Sequence, residues 1–339
     1  MQLDHVRELK AAWAAWAAAP TQAPTDRAGA RPSAAEALPP PEPAAVALGA
    51  TRTGSGYGLA VRYREEGPAV SRLVERMREE VGEAELDVRH VGAVRALALD
   101  PQWAPDPSSR AAVDVGRLRS RLRPLVVGAS VAHERVTAGT VGAFVRADGA
   151  WFVLSNSHVL ARSGLASPGD VVLQPGPADG GVGADRIGVL DRAVPLAAER
   201  ANAVDAALAR LDDGVEVDLS GAPTATALLD GDEPVEKTGR TTGATTGRVS
   251  AIEVDDVVVD FGPGVGLLRF DGQVEVQGEG RSFSAGGDSG SLVRLAGGGA
   301  GVGLLFAGSE QGGPGGTGLT YCNVLDDVLA ALGVALPTS

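Results

Sequence analysis

The run Val141-Gly142-Ala143-Phe144-Val145-Arg146-Ala147-Asp148-Gly149-Ala150-Trp151-Phe152-Val153-Leu154-Ser155-Asn156-Ser157-His158-Val159-Leu160 decides the fold. Val141 to Val145 and Trp151 to Leu154 are short β-forming stretches. Asp148-Gly149 between them is a tight-turn pair, so the run reads as a β-hairpin. The polar turn that follows can present the imidazole of His158. From Gly128 onward the same grammar continues, with short alternating runs broken by Gly, Asp-Gly and Pro-Gly turns. That is the pattern of all-β barrels. Further strands are expected at 171–173, 206–211, 235–238, 247–254, 257–261, 291–295 and 302–306, with a closing helix over 324–332. Thr238 to Gly243 lacks the Gly-Lys-Ser/Thr of a phosphate loop and does not open a helix, so it reads as a turn.

Upstream of this region the grammar differs. Leu3, Val6, Leu9, Trp13 and Trp16 recur at spacings of three and four and predict an amphipathic helix within residues 1–19. Such a helix either docks on its own chain or offers Trp13 and Trp16 to a partner or a second copy. Residues 20–50 are rich in Pro and Ala and read as a semi-extended linker. Residues 51–117 read as a small α/β module: a strand over 57–63, a helix over 68–81 and a second alternating run over 86–94. This module suits a pro-segment, a folding aid, a lid or plain packing. The first barrel is then expected over 118–222, and the second barrel with its C-terminal helix over 223–339.

The 339 residues and 44% hydrophobic content suffice for two or three domains with ordinary cores. Aromatic residues are only 4%, so those cores must rest on Val, Leu and Ala. A net charge of -13 repels phosphate backbones and argues against nucleic acid as the main partner, although Arg117 to Arg123 holds four arginines in seven residues. The single cysteine, Cys322, permits no intrachain disulfide and is expected to be a small buried residue. No apolar run approaches the ~20 residues of a membrane span, and the mixed charges of the first ten residues do not read as a signal peptide. No membrane partner is expected, and the expected location is the cytoplasm.

Acyl transfer by serine needs a nucleophile, a base, a carboxylate to orient the base, and N–H donors for the oxyanion. The sequence offers a candidate for each. Ser289 lies in Ser284-Ala285-Gly286-Gly287-Asp288-Ser289-Gly290-Ser291, where flanking glycines allow a sharp turn. His158 follows the second hairpin strand; the other histidines, 5, 90 and 133, lie in weaker contexts. Asp205 precedes the expected strand at 206–211, where a carboxylate can sit beside an imidazole, with Asp191 as its nearest rival.

The order His158, Asp205, Ser289 and its local strings resemble the chymotrypsin-like (trypsin-fold) serine peptidases. Runs such as Thr137 to Phe144, Leu173 to Pro177, Lys237 to Gly243 and Phe283 to Ser289 are more narrowly similar to disulfide-free bacterial relatives of the plant narrow-leaf trypsin-like proteins. The resemblance spans about residues 125–335. It implies two antiparallel six-stranded β-barrels with the site between them. It implies a serine endopeptidase using Ser289, His158 and Asp205, an oxyanion hole from Gly287 and Ser289, a protein or peptide substrate, and no metal or organic cofactor. It also puts Phe283 at the floor of the primary specificity pocket, which argues against Lys or Arg there, and makes Phe306 and Gly308 the edge that pairs with substrate. Asp288, which in many secreted relatives pairs with a freshly cut N-terminus, has no evident cleavage site upstream and is expected to pair with an internal Arg or backbone donors. The competing expectations are a catalytically silent or latent scaffold that binds peptides or protein partners, and a zymogen whose N-terminal module blocks the cleft.

Overall fold

The computed structural model describes residues 1–18, 46–54, 56–97 and 112–337. Helix α1 (Leu3–Ala18) is followed by β1 (Val46–Thr53), β2 (Gly56–Tyr63), α2 (Pro68–Val81), β3 (Leu86–His90), β4 (Val94–Ala96) and α3 (Ala112–Leu118). The first barrel comprises β5 (Ser130–His133), β6 (Gly139–Thr140), β7 (Ala143–Ala147), β8 (Ala150–Ser155), the one-turn α4 (Ser157–Leu160), β9 (Val171–Leu173), β10 (Arg186–Ala193) and β11 (Ala207–Leu211). The second comprises β12 (Pro234–Gly239), β13 (Gly243–Asp255), β14 (Val257–Asp260), β15 (Leu267–Phe270), β16 (Gln273–Gly278), β17 (Leu292–Leu295), β18 (Gly301–Gly312) and β19 (Gly318–Val324), closed by α5 (Leu325–Leu332).

The hairpin that opened the sequence reading is β7–β8. Asp148 and Gly149 both take positive φ, 49° and 77°, as a two-residue turn matched to strand twist requires. The first barrel runs in the order β6-β5-β9-β10-β11-β8-β7, around Leu125, Val131, Phe144, Val153, Leu160 and Ile187. The second closes fully: β12 pairs β13, then β16, β19, β18 and β17 follow in turn, and β17 returns to β12, every pair antiparallel. Leu154, Val204 and Leu208 of one barrel meet Leu292, Leu304 and Leu325 of the other, which fixes the two halves of the cleft. The architecture is chymotrypsin-like, mainly β with few helices: a closed six-stranded second barrel beside a seven-stranded first one that stays open between β6 and β7, where two six-stranded barrels were expected.

The N-terminal module is not a separate body. Strand β1 pairs with β13 of the second barrel, β2 pairs with β1, and β3 lies parallel to β2. Val6, Trp13, Leu59, Val61, Leu73 and Met77 share one core with Val249, Val276 and Val293. Arg62 on β2 reaches Glu275 on β16 at 2.8 Å, with both side chains buried. This corrects one expectation and decides between two others. Residues 46–50 are strand rather than linker, because Ala47-Leu48-Gly49-Ala50 is buried throughout and shows no alternation to distinguish it from the Pro/Ala run; the rest of that linker, 20–45, lies outside the described residues. Of the two alternatives for the first helix, docking on its own chain is the one that forms for Trp13, which is buried there; the side chain of Trp16 lies outside the described residues.

Candidate active site

His158 rides on α4, just after β8, and the next two residues, Val159 and Leu160, anchor that turn in the first barrel's core. Asp205 sits two residues ahead of β11, the neighbour of β8 in the sheet. Its carboxylate bonds the imidazole Nδ1 through Oδ2 and accepts the His158 backbone N–H through Oδ1 at 3.2 Å. The Asp205 backbone is pinned as well: its N–H donates to Asn323 Oδ1 at 2.9 Å and its carbonyl accepts from Asn156 Nδ2 at 2.7 Å. A buried carboxylate at Nδ1 holds the proton on that nitrogen and leaves Nε2 as the acceptor. His158 Nε2 and Ser289 Oγ are both buried and, among the described residues, have no hydrogen-bond partner. Two other candidates are engaged elsewhere: His133 bonds Asp170 at 3.2 Å and Asp191 bonds Arg192 at 2.6 Å.

Ser289 stands on a turn shaped by Gly287 and Gly290, with φ of 93° and 90°. A Cβ on Gly287 would come within 2.6 Å of Thr241 Oγ1, so only glycine fits there in both conformation and space. The first barrel braces the turn: Thr140 donates its N–H to Ser289 O at 2.8 Å and its hydroxyl to Gly287 O at 2.9 Å.

Beneath the turn, Asp288 is buried and bonded on every side. Its Oδ1 accepts from Thr241 N at 2.8 Å and Thr242 N at 3.2 Å. Its Oδ2 accepts from Thr242 Oγ1 at 2.7 Å, Ala285 N at 3.1 Å and Lys237 Nζ at 3.1 Å. The cation expected as an internal Arg is therefore Lys237, joined by the expected backbone donors. Burial pushes the Lys237 ammonium pKa down, against the pull of Asp288. Sequence reasoning missed Lys237, yet a signal existed: on β12 the inward positions are Val235, Lys237 and Gly239, and a lysine in that series needs a buried anion. The expected turn at 238–243 does form, and its backbone N–H groups are what hold Asp288.

Phe306 and Gly308 lie on the cleft edge of β18, but that edge is already paired. Strand β4 runs antiparallel to it, with Ala96 opposite Ala307 and Arg95 opposite Gly308. Leu97 continues the ladder by donating its N–H to Phe306 O at 3.0 Å, and its carbonyl accepts the Gly287 N–H at 2.7 Å. Phe283 corrects another expectation. Its ring is fully buried in the second barrel's core with Val276 and Val293, and it does not line the cavity beside the site. Its neighbour Ser284, on the loop between β16 and β17, faces the cavity instead, with Gly286, Gly308 and Thr320.

No family model matches the chain, and no curated protein matches it. Among solved structures, a glutamic acid specific serine protease aligns at 22% identity and a TM-score of 0.45, covering 63% of this chain and 100% of its own. Protease A of Thermobifida fusca aligns at 18% identity and a TM-score of 0.44, covering 63% and 98%. A Nocardiopsis protease aligns at 19% identity and a TM-score of 0.45, covering 63% and 98%. These neighbours are bacterial serine proteases, alike at low identity.

Proposed function

We propose that the chain is a serine endopeptidase in which Ser289 attacks a peptide carbonyl, His158 takes the hydroxyl proton and returns it to the leaving amine, and Asp205 stays ionised and steadies the imidazolium. The observation that carries this reading is the buried Asp205–His158 pair beside a serine turn whose Gly287 N–H already holds a peptide carbonyl. That N–H is the donor a developing oxyanion needs. The narrower likeness to disulfide-free bacterial relatives of the narrow-leaf trypsin-like proteins rests on the sequence runs alone.

A second reading is a latent or silent double barrel that only binds peptide. It draws on one observation, the occupation of the β18 edge by β4. A fluorophosphonate probe separates the two readings. On the peptidase reading it labels the chain at Ser289, most strongly in a Leu97→Asp variant that frees the cleft, and labelling disappears in Ser289→Ala. Removing Ser289 or His158 should abolish turnover by a factor on the order of 10⁶. No labelling of any form of the folded protein would leave the silent scaffold as the better account.

A further inference from the structure

The strand in the cleft has the register of a substrate. Leu97 N–H to Phe306 O, and Leu97 O to Gly287 N–H, are the two bonds that would seat a residue whose carbonyl is about to be attacked. The ladder then runs back along the chain: Ala96 faces Ala307, Arg95 faces Gly308 and Val94 faces Ser309. Beyond it, Glu310 N–H donates to Ala93 O at 3.1 Å and Gln311 N–H to Val91 O at 3.2 Å. On its other side, β4 is held in parallel by β14 at Asp260. An unrelated surface strand could pair with β18 in any register, but only this one puts a carbonyl on Gly287.

The side chains fit as well as the backbone. Leu97 enters the cavity lined by Ser284, Gly286, Gly308 and Thr320, and a Cβ on Gly308 would come within 3.1 Å of Leu97 Cδ2. At the wall of that cavity Ser284 Oγ and Thr320 Oγ1 bond each other at 2.7 Å. A cavity walled by Gly286, Gly308, Gly318 and Leu319 suits an aliphatic side chain. Ala96 and Phe261 border the same buried cluster, and the Phe261 ring meets that of His158 at 5.9 Å. Arg95 pairs with Glu310 at 2.6 Å.

We propose that Val94-Arg95-Ala96-Leu97 is the chain's own substrate, and that the enzyme cuts the Leu97–Ala98 peptide bond in itself and prefers leucine as the acyl residue in other substrates. This rests on the peptidase reading above. Ser289 Oγ adds to the Leu97 carbonyl carbon while His158 Nε2 accepts the hydroxyl proton. The C–N bond breaks, the proton passes to the Ala98 nitrogen, and Leu97 is left as an ester on Ser289. Water, deprotonated by His158, hydrolyses that ester to the Leu97 carboxylate and restores the serine. The N-terminal fragment stays in place after the cut, because β1 remains paired with β13 and Arg62 with Glu275. With Asp288 already paired to Lys237, the serine turn is complete before cleavage, so the cut can be made by the uncut chain.

The test is N-terminal sequencing and intact mass of the purified full chain over time, with Ser289→Ala and Leu97→Asp beside it. Wild type should yield residues 1–97 and a second fragment beginning Ala98-Leu99-Asp100, co-eluting on size exclusion, while Ser289→Ala stays whole. Leu97→Asp should stay whole and still take the fluorophosphonate probe. An acyl-Val-Arg-Ala-Leu reporter should be hydrolysed at least 10-fold faster than its lysine counterpart. A wild type that takes the probe yet remains uncut, or is cut elsewhere, overturns the self-substrate assignment and leaves the peptidase standing. Faster hydrolysis of the lysine reporter overturns the leucine preference. If no form takes the probe, the peptidase reading falls, and this one with it.

Discussion

Lys237→Met isolates what the buried cation does for the serine turn. The wild-type ammonium is fully buried 3.1 Å from the fully buried Asp288 carboxylate. Methionine fills similar volume without charge, so the change removes the cation and leaves the anion inside. Breaking a buried pair from one side costs about 3–5 kcal/mol. Here three backbone N–H groups and the Thr242 hydroxyl stay on the carboxylate, so the cost should fall near the low end, about 3 kcal/mol. Adding Asp288→Asn should recover part of the loss. The asparagine Oδ1 still accepts from Thr241 and Thr242 and its amide can donate to Thr242 Oγ1, while the Ala285 N–H and the Thr242 O–H lose their acceptor. Urea unfolding followed by tryptophan fluorescence gives the stability of the wild type, both single variants and the double. Probe labelling of the same set reports whether the turn still presents Ser289. The reasoning is refuted if Lys237→Met unfolds within about 0.5 kcal/mol of wild type, or if the double variant is weaker than the two single losses summed.

Gly287→Ala forces a side chain into a residue with φ of 93° and against Thr241 Oγ1 at 2.6 Å, so the N–H must turn away from the oxyanion position. Acylation of Ser289 should slow by about 10²–10³, read as the initial rate of probe labelling, with the fold retained by circular dichroism. Arg62→Met strands the Glu275 carboxylate in the core and should cost about 3–5 kcal/mol, with faster amide exchange across β1 to β3; unchanged exchange there would mean the module is held by packing alone. Asp87 gives a pH signature. Burial alone would raise its pKa, but Arg62 and then Arg89 outweigh that and hold it below the usual carboxylate range. Its contribution is complete above the unfolded value and is lost as pH falls through the lower folded value. Asp87→Asn should therefore lose stability at neutral pH and show a shallower further loss on acidification than wild type, measured by urea unfolding across that range.

The parts legible in the sequence were those that local chemistry specifies. The Asp148-Gly149 hairpin, the 68–81 helix and the glycine-shaped turn at Ser289 each follow from residue types within a few positions of one another. Other parts failed for definite reasons. Strand β1 was hidden because a strand buried throughout has no polar alternation, and small residues made it look like the linker before it. Phe283 was misplaced because it lies on the loop between β16 and β17, where no strand alternation shows which side chain enters the core and which faces the cavity. Lys237 was legible only as an oddity, since the charge that justifies it lies 51 residues away.

His158, Asp205 and Ser289 could be named from order and local string, since a triad of residue types is a property of the chain. Their assembly could not. Asp205 meets His158 because β11 lies beside β8, and the serine turn is braced by Thr140 from the other barrel. Leu97 is the extreme case. By itself Val94-Arg95-Ala96-Leu97 is an ordinary alternating run with nothing to mark it. Only the closure of the second barrel exposes the β18 edge, and only the docking of the module on β13 delivers this strand to it in the register that puts its carbonyl on Gly287. Hydrogen-bond register across a sheet is set by where distant strands are held, and no local stretch of sequence contains that information.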